Sequence, residues 1–198
     1  MPRPLLVTGF APFDGRAANP SQDLVLALDG VRIGDRRIVG RVLPVLFRAV
    51  PTIADMLTRE VQPAAILATG QAAGEASLRL ECFAVNALDS RTPDETGVAP
   101  DGEAILAMGP VALATRLDRA AVLAAIRATG VPARLSFHAG THCCNLLFYR
   151  LLATTDLPCG FLHLPPIAAE RPDEPVLARE AQLAGVRAAL EAMAVAVA

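Results

Sequence analysis

Six short runs rich in aliphatic residues alternate along this chain with longer segments in which apolar residues recur near a 3.6-residue spacing. The runs are Leu5–Thr8, Ile38–Leu43, Ala64–Thr69, Arg79–Val85, Arg134–Phe137 and Gly160–Leu164, each bounded by turn formers. Between them, the periodicity predicts helices over Ser21–Leu28, about Arg48–Val61, Ala114–Thr129, about His142–Ala153 and the alanine-rich Val176–Val195. A strand that feeds a helix and returns to another strand builds a sheet of mostly parallel neighbours, and such a sheet must be covered on both faces. The expected fold is therefore a three-layer α/β/α sandwich around a mostly parallel sheet. With 198 residues, positions 1–198 are expected to form a single domain.

Several classes of function fit this chain poorly. Although 53% of its residues are hydrophobic, charges interrupt every apolar stretch before the roughly 20 residues that a membrane helix needs. No membrane association is expected. The first residues, Met1 to Val7, pass at once into a strand-like run without the apolar core of a secretory signal, which points to the cytoplasm. A net charge of −2 with both signs interspersed offers no basic stripe for phosphates, so nucleic acid is not an expected partner. The four cysteines Cys82, Cys143, Cys144 and Cys159 lack CxxC spacing, and in a reducing compartment they should be thiols.

In open α/β sheets, ligands gather beyond the carboxyl ends of strands. Three segments occupy such places: Gly9 to Gly15, Gly70-Gln71-Ala72-Ala73-Gly74, and Ala139 to Asn145. The last reads as a strand, a glycine turn and a helix start, with Thr141 as N-cap and Cys144 in the first helical turn. There the helix dipole favours thiolate, and free backbone N–H groups can hold an oxyanion. The bland alternative makes both Cys143 and Cys144 small core residues. Adjacent positions on a helix point about 100° apart, so at most one of the two can face a given substrate atom.

A thiol that attacks an amide needs a base able to protonate the leaving amine, and histidine suits that task. Helical geometry turns His142 about 200° from Cys144, and His138 could be a satisfied core imidazole. His163, near the end of Gly160-Phe161-Leu162-His163-Leu164, would reach the edge carrying Cys144 if its strand were a parallel neighbour. Glu81 interrupts the apolar run Leu78 to Val85 and needs a partner there. That partner is either a histidine whose tautomer it fixes or a base such as Arg79. The polar stretch Asn86 to Gly97 is long enough to carry function, and its Arg91 is either a solvated residue or a cation at the oxyanion site. A metal-binding protein is a rival reading, with Glu81, Cys82, His142, Cys143 and His163 as ligands, although their spacing is unlike structural zinc sites.

Four motifs together resemble the pyroglutamyl peptidase I family along nearly the whole chain. They are Val7-Thr8-Gly9-Phe10-Ala11-Pro12-Phe13 through Asn19-Pro20-Ser21, Gly70-Gln71, the stretch from Glu81 through Asn86, Asp89, Arg91, Pro93-Asp94 and Gly97, and Ala139-Gly140-Thr141 with Cys144-Asn145. Gly160 to Pro165 resembles the segment that carries the family histidine. The resemblance implies a cysteine peptidase without metal or organic cofactor that removes N-terminal pyroglutamate from peptides, in a fold often assembled as a homotetramer. It further implies Cys144 as nucleophile, His163 as base and Glu81 as the orienting acid. Substrate contacts would come from Phe10, Phe13, Gln71 and Arg91, with His142 and Cys143 in the pocket wall where the family usually carries an aromatic and an aliphatic residue. That departure leaves an altered specificity, or a silent homologue that binds pyroglutamyl-like peptides, as the alternative.

Overall fold

The computed structural model describes residues 2–72, 74, 76–167 and 175–197. Along the chain it forms β1 (Leu5–Phe10), α1 (Pro20–Leu28), β2 (Arg32–Ile33), β3 (Arg36–Leu43), α2 (Val50–Val61), β4 (Ala65–Gln71), β5 (Leu78–Glu81), β6 (Phe83–Val85), β7 (Ala112–Ala114), α3 (Arg119–Ala128), β8 (Ala133–Ser136), α4 (Cys143–Thr154), β9 (Cys159–Leu164) and α5 (Arg179–Ala196). Seven strands make one sheet in the order β2-β3-β1-β4-β9-β5-β8, while β6 and β7 pair separately. The strands β3, β1, β4 and β9 are mutually parallel.

Side-chain alternation along the strands sorts the core into two layers. Leu5, Val7, Leu67, Leu78, Leu80 and Leu162 face α1, α3 and α5 through Val25, Ile126, Val186 and Leu190. Leu6, Phe10, Ile66, Ala68 and Phe161 face α2 and α4 through Val50, Leu57, Leu147 and Phe148. The three-layer α/β/α architecture expected from the alternating pattern is thus the one observed. Because β1 and β9 are covered on both sides, every residue in them is buried, which explains why apolar residues dominate them, with Thr8 and His163 as the polar exceptions. Among the described residues no helix is long and apolar enough to cross a membrane.

The structure corrects three local expectations. The run Arg79–Val85 is not one strand: at Cys82 the chain leaves the main sheet, its N–H bonding Ser136 and its carbonyl accepting from Thr115, so that β6 can pair with β7. The helix expected over Ala114–Thr129 begins only at Arg119, since residues 112–114 are β7 and the Asp118 carboxylate caps Ala120 and Ala121. Finally, β9 runs antiparallel to β5, and β5 parallel to β8. The strand before the cysteine turn is therefore antiparallel to the histidine strand, contrary to the shared carboxyl edge expected for them.

Candidate active site

Short strands solve the problem that this antiparallel step creates. β8 passes the His163 level at Arg134, through Arg79, and stops at Ser136, which pairs with Glu81 and so stands level with Phe161; the chain thus leaves the sheet only two residues beyond the His163 level. Residues 137–142 then carry the chain to the face of the sheet where α4 begins. Cys144 comes to stand over β4 at Gly70: a Cβ placed on that glycine would lie 2.7 Å from the thiol sulfur and 3.0 Å from the Phe161 ring. Gly70 is the register partner of His163. The thiol is thereby seated beside the imidazole through the β4/β9 pairing, not through neighbouring strand ends.

His163 is nearly inaccessible and its Nδ1 lies 2.7 Å from Oε1 of the fully buried Glu81. A carboxylate only accepts, so Nδ1 carries the proton and Nε2 is left to take one from a thiol. Burial lowers the His163 pKa against the opposing bond and charge of Glu81. Burial also pushes the Cys144 thiol up to about 12, with the Glu81 charge adding to the rise and Arg79 opposing it. Both shifts favour the uncharged forms, thiol and imidazole, in the resting site.

The start of α4 differs from the expected one. His142, not Thr141, is the N-cap residue, and it caps with no side-chain bond. The Thr141 hydroxyl instead donates to the Asp89 carbonyl, tying the turn to the long loop. Leu146 N–H is the first to reach back along the helix, to the His142 carbonyl. The N–H groups of Cys143, Cys144 and Asn145 thus precede any intrahelical acceptor and are available to an oxyanion. Asn145 locks this turn in place: its side-chain amide accepts from Val85 N–H and donates to the carbonyls of Val85 and Ala87.

A cavity of about 480 Å³ opens in front of the thiol. Phe10, Phe13, Gln71, His142, Cys143, Cys144 and His163 all line it, while Glu81 stands behind the imidazole. His142 corrects the expectation that it faces away from Cys144. As an N-cap with extended backbone it escapes the helical angle, and its ring stacks on Phe13 at 5.7 Å and meets Phe47 edge-on at 4.7 Å. Burial lowers the His142 pKa, a backbone bond with Thr92 and the charge of Asp94 acting the other way. His138 is exposed, not a buried imidazole, and its Nδ1 accepts from Gly140 N–H. Cys143 is buried, its thiol pushed far up by desolvation.

Arg91 is not brought to the cavity; it is exposed on the loop. Two arginines not sought as site residues, Arg16 and Arg79, line the cavity instead. The signal for Arg79 was available, since strand alternation places it on the same face as Glu81. Ala73, part of the second candidate segment, lies outside the described residues. The five residues considered as metal ligands do not converge: among the described residues no three His, Cys, Asp or Glu side chains form a group that could hold an ion. Asp94, within the loop, accepts from Phe47 N–H and, through its other oxygen, from Thr96 and Val98, which fixes the loop beneath the His142 wall.

The model of a family described as pyroglutamyl peptidase matches residues 3–196. The pyrrolidone-carboxylate peptidase of Cupriavidus necator is 41% identical over 197 residues, covering 95% of this chain and 91% of the relative. That of Pseudomonas fluorescens is 39% identical over 194 residues, with the same coverage of 95% and 91%. Among solved structures, pyroglutamyl peptidase I of Bacillus amyloliquefaciens matches with a TM-score of 0.94 at 32% identity, over 98% of this chain and 97% of that one. A mutant pyrrolidone carboxyl peptidase of Pyrococcus furiosus matches with a TM-score of 0.93 at 33% identity, over 97% and 98%.

Proposed function

This chain belongs to the pyroglutamyl peptidase family and is a cysteine peptidase, and from that premise we propose that it hydrolyses the bond after an N-terminal pyroglutamate with Cys144 as nucleophile, His163 as base and Glu81 as orienting acid. The observation that carries the residue assignment is the buried 2.7 Å contact of His163 Nδ1 with Glu81, in the wall of the cavity that Cys144 also lines.

With burial favouring the neutral thiol, attack and proton transfer belong to one step in this reading. Cys144 Sγ bonds to the pyroglutamyl carbonyl carbon while its proton passes to His163 Nε2 and negative charge moves to the carbonyl oxygen, facing the free N–H groups at the start of α4. Glu81 holds the resulting imidazolium without taking its proton. His163 next gives that proton to the leaving amine as the C–N bond breaks, leaving a thioester and a shortened peptide. Water, deprotonated by His163, then attacks the thioester, and pyroglutamate departs as the thiol regains its proton.

The lactam ring is small, uncharged and carries one N–H and one carbonyl, which suits an apolar cavity with a few main-chain bonds. Phe10, Phe13, His142 and Cys143 supply the walls in this reading, and the Gln71 backbone at the end of β4 supplies the polar contacts. We further propose a single peptidase domain over 1–198, from the length of the chain, a homotetramer, from the family resemblance, and a cytoplasmic setting, in keeping with four free cysteines.

The test is release of a fluorescent amine from a pyroglutamyl amide by reduced wild type and by Cys144→Ser, with a prolyl amide as control. Selective release that the variant loses is expected. A folded wild type that releases nothing would sink the substrate assignment.

A further inference from the structure

The cavity holds a cation where the loop arginine was expected. Of its two arginines, Arg16 belongs to the Phe13 wall, its guanidinium carbon 5.4 Å from the ring centre. Arg79 belongs to the nucleophile side. It pairs directly with His163 across β5 and β9, and as the residue two before Glu81 it shares one face with both. We propose that Arg79 is a positioning residue of the peptidase reaction, its guanidinium field sustaining the negative charge that develops on Cys144 Sγ and on the attacked carbonyl oxygen; this rests on the assignment of Cys144 as nucleophile given above.

The case is one of charge balance in a poorly solvated site. Glu81 is needed to orient His163, but it places a fixed anion beside a reaction that creates another. One of its oxygens, Oε2, is buried with no hydrogen-bond partner among the described residues, so their donors do not absorb the charge there. A guanidinium cannot deprotonate, and Arg79 therefore supplies a permanent opposite charge. With it, the set Cys144, His163, Glu81 and Arg79 carries no net charge, both as thiol with imidazole and as thiolate with imidazolium. Without it, both states are anionic by one unit. The directions agree: Arg79 opposes Glu81 at the Cys144 thiol and again at the His163 imidazole.

Among the described residues, the remaining titratable and charged groups that line the cavity are Asp14 and Arg16 after β1, His138 and His142 in the turn before α4, and Cys143 on α4. None of these lies on β5; outside the cavity lining, the exposed Arg134 on β8 is the register partner of Arg79. A structural role for Arg79 in the sheet would alter stability or the amount of active protein, but not the pH values at which the site titrates.

The experiment follows that distinction. Arg79→Met and Arg79→Gln remove the charge at near-constant length, Arg79→Thr does so with a side chain suited to a strand, and Arg79→Lys retains it. Two profiles are recorded against pH: iodoacetamide alkylation mapped at Cys144, and kcat/KM on a pyroglutamyl amide. In every neutral variant that folds, the apparent pKa values of the Cys144–His163 pair should move up by about 0.5–1 unit, while Arg79→Lys overlays wild type. Unshifted limbs in the neutral variants, or a lysine variant displaced like methionine, overturn the proposal. Alkylation needs no substrate, so a wild type inert toward pyroglutamyl amides would defeat the substrate assignment and still leave Arg79 tested.

Discussion

Replacing Gly70 with alanine probes the seating of the nucleophile with one methyl group. Gly70 sits within β4, outside the positive-φ glycines, so an alanine there meets no backbone strain. What it meets is the thiol sulfur at 2.7 Å and the Phe161 ring at 3.0 Å. Ordinary carbon contacts begin near 3.5–4.0 Å, so the sulfur must retreat by about 1 Å or β4 must bow. Overpacking of this size costs about 1–3 kcal/mol, which for a chain of this length lowers Tm by roughly 2–12 °C. A misplacement of about 1 Å in a reacting atom costs about 100-fold in rate, or about 2.7 kcal/mol of barrier. The assay is kcat and KM on a pyroglutamyl amide beside a thermal melt, with circular dichroism to confirm the fold. The expected outcome is a kcat loss of about two orders of magnitude in a protein that is folded at the assay temperature. A folded Gly70→Ala protein with kcat within a few-fold of wild type would refute the placement of the Cys144 sulfur over Gly70, and with it the pairing argument that sets thiol beside imidazole.

Two further substitutions test the groups behind the cavity. Glu81→Gln keeps the shape of the side chain but lets an amide N–H face His163, destabilising the tautomer with its proton on Nδ1; kcat is expected to fall about 10³–10⁴-fold on a pyroglutamyl amide, with the circular dichroism spectrum unchanged. Asp94→Asn concerns stability. Desolvation raises the Asp94 pKa, but the Thr96 hydroxyl and the N–H groups of Phe47, Thr96 and Val98 outweigh it and leave the net value lowered. The stabilisation it gives is therefore fully present above the unfolded carboxylate value near pH 4 and lost as pH falls through the lower folded value. Denaturant melts from pH 7 to pH 2 should show wild type losing more stability on acidification than Asp94→Asn, and parallel losses would count against it.

Much of the architecture was legible because the central strands are buried on both faces and carry uninterrupted apolar runs, as in Leu5 to Val7 and Ala65 to Ala68. What escaped depends on contacts distant in sequence. Nothing local to Cys82 says that its N–H will bond Ser136 and that the strand will change sheets there. Nothing local to Gly160–Leu164 says that one neighbour is parallel and the other antiparallel, yet that arrangement sets Cys144 beside His163 through Gly70. The cap at Asp118 was readable and would have shortened the helix expected from Ala114. His142 shows the opposite limit, since the helical angle does not hold one residue before the helix begins. Arg79 reads locally as a partner for Glu81, although the same alternation that places the two together also aims both at His163.

The bonds of Asn145 to Val85 and Ala87, with that of Thr141 to Asp89, bind the nucleophile's own turn to the segment that continues through Thr92 into the cavity wall. Reactivity and selectivity are consequently not separate modules in this chain. Those bonds end on main-chain atoms of Val85, Ala87 and Asp89, so side-chain changes within residues 86–92 leave them in place, whereas an insertion, a deletion or a proline that reroutes this backbone would unseat the thiol. Retargeting through the opposite wall, at Phe10 and Val45, leaves that coupling intact and is the route by which such a pocket can diverge while its chemistry persists.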